Sequence, residues 1–171
     1  TRYLCVSWAR RMCIRDRIRN GKKSDARAVC NMAAELSAHE GVADPKFTIE
    51  DYQKYGFGRR QQFKTLVAEA GEKVVAYLIF CESFHIGIGT PGLNILDLFV
   101  DNAFRRMGIG KKLFATLSSY CIRNNGTWIT WQCQPKNESA LHFYRSIGGR
   151  QYAALDFELA DTDLVRLSKK V

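Results

Sequence analysis

A glycine-bearing bend between two apolar stretches constrains this chain more than any other feature. Leu93-Asn94-Ile95-Leu96-Asp97-Leu98-Phe99-Val100 reads as a strand, and Arg105-Arg106-Met107-Gly108-Ile109-Gly110 follows it. From Lys111 to Arg123, the residues Leu113, Phe114, Leu117, Tyr120 and Cys121 recur at helical spacing. Strand, bend and helix together present consecutive free N–H groups at a helix N-terminus, where the positive end of the dipole holds a phosphate or pyrophosphate. Gly108 and Gly110 lack a Cβ, so the chain can bend there and a ligand can come close to the backbone. Each N–H bond to a charged oxygen contributes about 1.5–3 kcal/mol, and Arg105 and Arg106 add charge. Glycine pairs before helices also occur in turns that merely connect. The spacing lacks the gap and Lys-Ser/Thr ending of a Walker loop, and the third glycine of the dinucleotide fingerprint. A pyrophosphate-binding turn of another type remains.

The flanking sequence predicts an α/β chain. A short strand near Arg17–Asn20 leads to Ser24-Asp25, a helix-start signal, and Val29, Met32, Ala33 and Leu36 mark the inner face of a helix reaching about His39. Thr48-Ile49-Glu50-Asp51-Tyr52 opens a shorter helix. Phe63–Ala68 and Val74–Glu82 read as antiparallel strands joined through Ala70-Gly71-Glu72, and Ser83–Gly92 as a surface hairpin rich in glycine. Trp128–Gln134 reads as a strand, Ser139–Ile147 as a helix, and Tyr152–Glu158 and Leu164–Leu167 as terminal strands. Strands first, then strand-helix-strand-helix, argue for a mixed sheet with helices on both faces.

Charge and cysteine usage narrow the classes. The chain carries a net charge of +9, but residues 1–27 hold nine Lys/Arg against two Asp, so the body is nearly neutral. A nucleic-acid partner is therefore not expected, because that would need basic residues clustered on the folded domain. No apolar run approaches the roughly 20 residues of a membrane span, and no membrane partner is expected. Residues 1–17 are rich in arginine without an amphipathic period. They suggest an organelle transit peptide or, preferably, a non-native or disordered extension, leaving 18–171 as a single domain with 46% apolar content overall to build its core. Six cysteines (Cys5, Cys13, Cys30, Cys81, Cys121 and Cys133) show no C-x-x-C pair and no histidines at ligand spacing. A metal is not expected, and Cys30, Cys81, Cys121 and Cys133 read as small core residues of a reduced, cytoplasmic protein.

Arg105-x-x-Gly108-x-Gly110, after the strand ending Asp97-Leu98-Phe99-Val100, resembles the acetyl-CoA-binding motif of the GNAT acetyltransferases. Asn137-Glu138-Ser139-Ala140-Leu141-His142-Phe143-Tyr144-Arg145-Ser146-Ile147-Gly148 is similar to the family's downstream Asn-x-x-Ala-x-x-Phe-Tyr-x-x-x-Gly segment. Tyr55-Gly56-Phe57-Gly58, Leu66-Val67-Ala68-Glu69 and Asp97-Leu98-Phe99-Val100 resemble the diamine (spermidine/spermine) branch, over roughly Ile18 to Leu167. The resemblance implies an α/β fold with a central mixed, mostly antiparallel sheet, helices on both faces, and a splay between two central parallel strands.

It also implies acetyl transfer from acetyl-CoA to a primary amine by direct attack, which needs no enzyme nucleophile. Backbone N–H groups of Arg106, Met107, Gly108, Ile109, Gly110 and Lys111 would take the pyrophosphate, with Arg105 beside them. Leu98, Phe99 and Val100 would pair with the pantetheine arm as with an added strand, Phe99 itself reading as core. Asn137 would bond the coenzyme arm or cap its own helix. Tyr144 would protonate the departing thiolate, and His142 would face solvent. The diamine branch carries a Glu where this chain has Leu96; by strand alternation Leu96 and Asp97 point to opposite faces, so Asp97 does not simply replace it. Glu82 and His85 are candidate bases through water. The acceptor is then a small-molecule amine: a polyamine, an aminoglycoside or an amino acid. Protein lysines or N-termini, and a non-catalytic acyl-CoA-binding module, are the alternatives. Relatives commonly form homodimers, for which the terminal strands offer a contact.

Overall fold

Strands with continuous apolar runs such as Leu66–Ala68 and Val75–Phe80, buried on both faces, build one sheet in the computed structural model, which describes residues 17–42, 46–155 and 157–169. The chain separates into two units, residues 1–132 and 133–171. The expectation for residues 1–16 lies outside the described residues.

In the first unit, β1 (Arg17–Asn20) precedes α1 (Ala26–Glu40) and α2 (Ile49–Phe57), followed by β2 (Lys64–Ala70), β3 (Lys73–His85), β4 (Thr90–Val100), α3 (Ile109–Arg123) and β5 (Ile129–Thr130). The five strands lie in the order β1-β2-β3-β4-β5, antiparallel except for the parallel pair β4–β5. Alternation sorts the side chains. Val67, Tyr77, Ile79 and Phe99 are buried with Val29, Met32 and Ala33 of α1 and Tyr52 of α2. On the opposite face Phe80 meets Tyr120 of α3 edge-on at 5.2 Å, and Leu113, Leu117 and Cys121 of α3 are buried. Helices thus cover both faces, and each fully buried large side chain contributes about 1.5–3 kcal/mol.

Two irregularities in β4 position everything that follows. The register runs Ile79↔Asp97 and then Phe80↔Ile95, leaving Leu96 as the extra residue of a bulge. The pairing of β4 with β5 spans only Leu93↔Ile129 and Asn94↔Thr130, while β4 continues to Val100. This is the splay.

The predicted helices and the β2–β3 hairpin match, but three expectations need correction. The expected strand Trp128–Gln134 is reduced to Ile129–Thr130. Leu164–Leu167 lies in a helix, Asp161–Ser168, whose acidic first turn and Asp163–Arg166 ion pair suit the helix dipole and the i,i+3 spacing. The described residues of Tyr152–Glu158 carry no regular structure. A run of alternating apolar residues alone does not decide between strand and helix over so few positions. Ser24-Asp25 does mark the start of α1: Asp25 is its N-cap residue, with the side chain turned back to the preceding turn. Its carboxylate accepts the Lys22 N–H at 2.7 Å and both terminal nitrogens of Arg19 at 2.7 and 2.9 Å. The Arg19 Nε reaches Glu69 at 2.7 Å, tying β1, α1 and β2 together.

In the second unit, α4 (Glu138–Ser146) is capped by Asn137, whose Oδ1 accepts the Ala140 N–H at 3.1 Å. It ends before Gly148, at φ 90°, and α5 (Asp161–Ser168) follows.

Burial pushes the Asp25 carboxyl up, but the Arg19 hydrogen bonds and the Lys22 N–H outweigh it and hold the carboxyl below its ordinary range. A depressed value means stability gained above the unfolded Asp range and lost as acid protonates the group. Asp25→Asn is expected to lose roughly 1–3 kcal/mol in urea unfolding at pH 7, because it removes one of the two carboxylates that hold the half-buried Arg19 guanidinium, leaving Glu69 alone. The gap to wild type should close as pH falls below about 4.

Candidate active site

The bend after β4 is held from behind. Asp101 donates its N–H to the Val75 carbonyl at 2.9 Å, accepts the Ala103 N–H at 3.0 Å, and pairs with Lys73 at 3.0 Å. A single 3-10 turn, Asn102–Phe104, then delivers Arg105. Arg106 adopts φ 62° and Gly108 φ 81°, both left-handed. Alternating hands turn successive N–H groups toward one side, the geometry of an anion-binding nest. Gly108 is also the N-cap of α3; it offers no side-chain cap, and no acid stands in the first turn. The N–H groups of Ile109, Gly110 and Lys111 have no acceptor within the helix. Arg105, Arg106 and Lys111 are exposed around them, and Ile109 is buried beneath. Met107 is half-buried.

Strand β4 faces this helix end with its own backbone. Because Asp101 and Val75 are a hydrogen-bonded pair, the alternation of an antiparallel ladder makes Tyr77–Phe99 and Ile79–Asp97 the other bonded pairs. Leu98 and Val100 therefore turn their N–H and C=O groups away from β3, toward the side where β5 has ended. The Val100 carbonyl accepts Arg105 Nε at 2.9 Å, and the Leu98 N–H is bonded to Asp97 Oδ1 at 2.9 Å. Asp97 Oδ2 accepts the hydroxyl of the fully buried Tyr77 at 2.6 Å.

The structure thus gathers Leu98, Val100 and Arg105 to Lys111 in one place. Phe99 is different: its side chain lies in the core at 4% exposure and its backbone pairs with Tyr77, so it offers a ligand neither. The bulge falls between Ile95 and Asp97, so strict alternation is not what sets the Leu96 and Asp97 side chains. Leu96 is exposed, and Asp97 turns to Tyr77. Glu82 lies apart, on the face covered by α3, where its Oε1 accepts Lys64 Nζ at 2.6 Å and the Tyr120 hydroxyl at 2.7 Å. The Lys64 and Tyr120 hydrogen bonds hold its carboxyl below the ordinary range, which makes it a weaker proton acceptor. His85 meets the Trp128 ring edge-on at 5.9 Å.

In the second unit, Tyr144 sits half-buried on α4 beside Phe143, ring centroids 5.5 Å apart. His142 is exposed, and Asn137 uses its side chain as the helix cap. Among the described residues, no group of three or more His, Cys, Asp or Glu is arranged to hold a metal ion, and no helix is long and apolar enough to cross a membrane. Sequence reasoning missed the left-handed Arg106, the bulge and the Tyr77–Asp97 tie. Only the last had a signal, since a tyrosine inside a buried strand needs a hydroxyl partner.

The acetyltransferase (GNAT) family model matches residues 30–148. This chain belongs to the GNAT acetyltransferase family. A human relative, spermidine/spermine N(1)-acetyltransferase-like protein 1, is 24% identical over 139 residues, covering 77% of this chain. The chain spans only 20% of that relative's length. The integron cassette protein VCH_CASS6 from the V. cholerae mobile metagenome has the same fold, with TM-score 0.76 at 22% identity, covering 90% of this chain and 98% of that one. AAC(6')-Iy, solved with the bisubstrate analog CoA-S-monomethyl-acetylneamine, superposes with TM-score 0.70 at 15% identity over 85% of this GNAT chain and 98% of its own.

Gly108→Ala puts a Cβ into open space but into the left-handed region. It should cost about 1–2 kcal/mol, read as a lower unfolding midpoint in urea with unchanged slope.

Proposed function

We propose that this chain transfers the acetyl group of acetyl-CoA to a primary amine of a small molecule, by direct attack of the amine on the thioester. One observation carries the reading. An uncapped helix N-terminus rimmed by Arg105, Arg106 and Lys111 stands next to a strand whose Leu98 and Val100 backbone groups face outward. A coenzyme with a pyrophosphate at one end and an amide-bearing arm matches that pair of features. The family's use of acetyl-CoA supports the same donor, as does the CoA-based analog bound to AAC(6')-Iy.

In this reading the N–H groups from Arg106 to Lys111 take the pyrophosphate, and Leu98 and Val100 pair with the pantetheine amides as an added strand. The acceptor amine, with an ordinary pKa near ~10, is about one part in a thousand deprotonated at neutral pH. Its nitrogen attacks the thioester carbonyl, the C–N bond forms, the C–S bond breaks, and the Tyr144 phenol hands its proton to the leaving sulfur. The proton shed by the acylated nitrogen passes to solvent water, from which the phenolate is reprotonated. Asn137 orients α4, which carries Tyr144, through its cap. Glu82 is not assigned as the base, because it is committed to Lys64 and Tyr120. The family match from 30 to 148 runs through both units, which supports their working as one acetyltransferase domain. Small-molecule acceptors are favoured by the spermidine/spermine name of the human relative and the acetylneamine portion of the bound analog.

CoA release measured with spermidine, kanamycin and a lysine peptide tests the acceptor class. Turnover with a small amine is the expected result, and turnover with the peptide alone would overturn it. Tyr144→Phe should keep the fold and acetyl-CoA affinity but lower turnover at least tenfold. Unchanged turnover removes Tyr144 from the reaction.

A further inference from the structure

We propose that Asp97 is an internal stand-in for the coenzyme arm: its carboxylate occupies the Leu98 amide until an arm carbonyl displaces it. The inference rests on the acetyl-CoA reading above and adds a residue that determines how tightly the arm is held. Three observations meet at one point. The Leu98 N–H faces outward from β4, on the side where β5 has ended. That donor is not free, because Asp97 folds back over its own following peptide and accepts the bond through Oδ1 at 2.9 Å. The second carboxylate oxygen is fixed by Tyr77, whose hydroxyl donates at 2.6 Å from a fully buried ring.

A single N–H aligned with one acceptor serves one partner well. A pantetheine or thioester carbonyl arriving along this edge must therefore take the Leu98 N–H from a charged acceptor, which makes the stronger class of hydrogen bond. The bulge at Leu96 is what makes this contact possible. It breaks the alternation ahead of Asp97 and leaves that side chain bridging Tyr77 and the outward amide. Removing the carboxylate should strengthen coenzyme binding. If Asp97 were only a packing residue, its loss would weaken binding or leave it unchanged.

The test is calorimetric titration of the full chain with acetyl-CoA and with adenosine 3′-phosphate 5′-diphosphate, which carries the phosphates but no arm. Two variants are used, Asp97→Ala and the double variant Asp97→Ala/Tyr77→Phe, which leaves no buried hydroxyl stranded. Both should bind acetyl-CoA at least fivefold more tightly than wild type, with affinity for the armless nucleotide unchanged. Weaker or unchanged acetyl-CoA affinity in the folded variants overturns the inference while leaving the coenzyme reading intact. Wild-type protein that takes up neither ligand overturns both. A readout independent of the variants is the Leu98 amide resonance of wild type. It should move with acetyl-CoA and stay in place with the armless nucleotide, and a resonance indifferent to acetyl-CoA sinks the idea.

Discussion

Everything in the site depends on one backbone constraint: a peptide group that faces away from its ladder must find another partner. Strand β4 is paired with β3 along its length but with β5 only at Leu93 and Asn94. Beyond that point its outward groups are left to side chains or to a ligand. The chain meets the requirement locally, with Asp97 on the Leu98 N–H and Arg105 on the Val100 carbonyl. A few residues further on, the first turn of α3 repeats the situation, since Gly108 brings no side chain to cap it. Unpaired strand edge and uncapped helix end are therefore one continuous surface of backbone hydrogen-bonding capacity.

The remainder of the first unit keeps that surface rigid. Phe99 and Tyr77 are buried between the sheet and α1, so the strand cannot drift. Asp101, bonded to Val75, Ala103 and Lys73, fixes where the strand ends and the turn begins. The Arg19–Asp25–Glu69 network holds the far edge of the sheet to α1. Lys64, Glu82 and Tyr120 secure α3 on the opposite face. A carboxylate so engaged contributes to structure more readily than to proton transfer, which is why the strand-end acid picked out from sequence is set aside as a base.

Much of this was legible from the residues. The strand, the bend and the amphipathic helix follow from Leu93–Val100, the two glycines, and the spacing of Leu113, Leu117 and Cys121, because strong local periodicity is seldom overridden. Gly108, read as a residue at which the chain can bend because it lacks a Cβ, adopts φ 81°. The bulge was not legible, since an extra residue in one strand is a property of two strands in register and leaves no mark in either alone. The terminal stretch failed differently: Leu164, Val165 and Leu167 fit a strand as well as a helix when only four residues are considered, and the acidic turn before them decides the matter. The short β5 was overestimated because apolar residues near the splay continue past the last ladder bond.

The central claim is that the amides at the head of α3 cradle the linked phosphates of the coenzyme. Amide chemical shifts of the isotopically labelled chain, followed during a titration with coenzyme A, test it most directly. The account predicts that Gly108, Ile109, Gly110 and Lys111 move most and saturate together. A titration that reaches saturation with these four amides unmoved, and the largest shifts elsewhere, contradicts it.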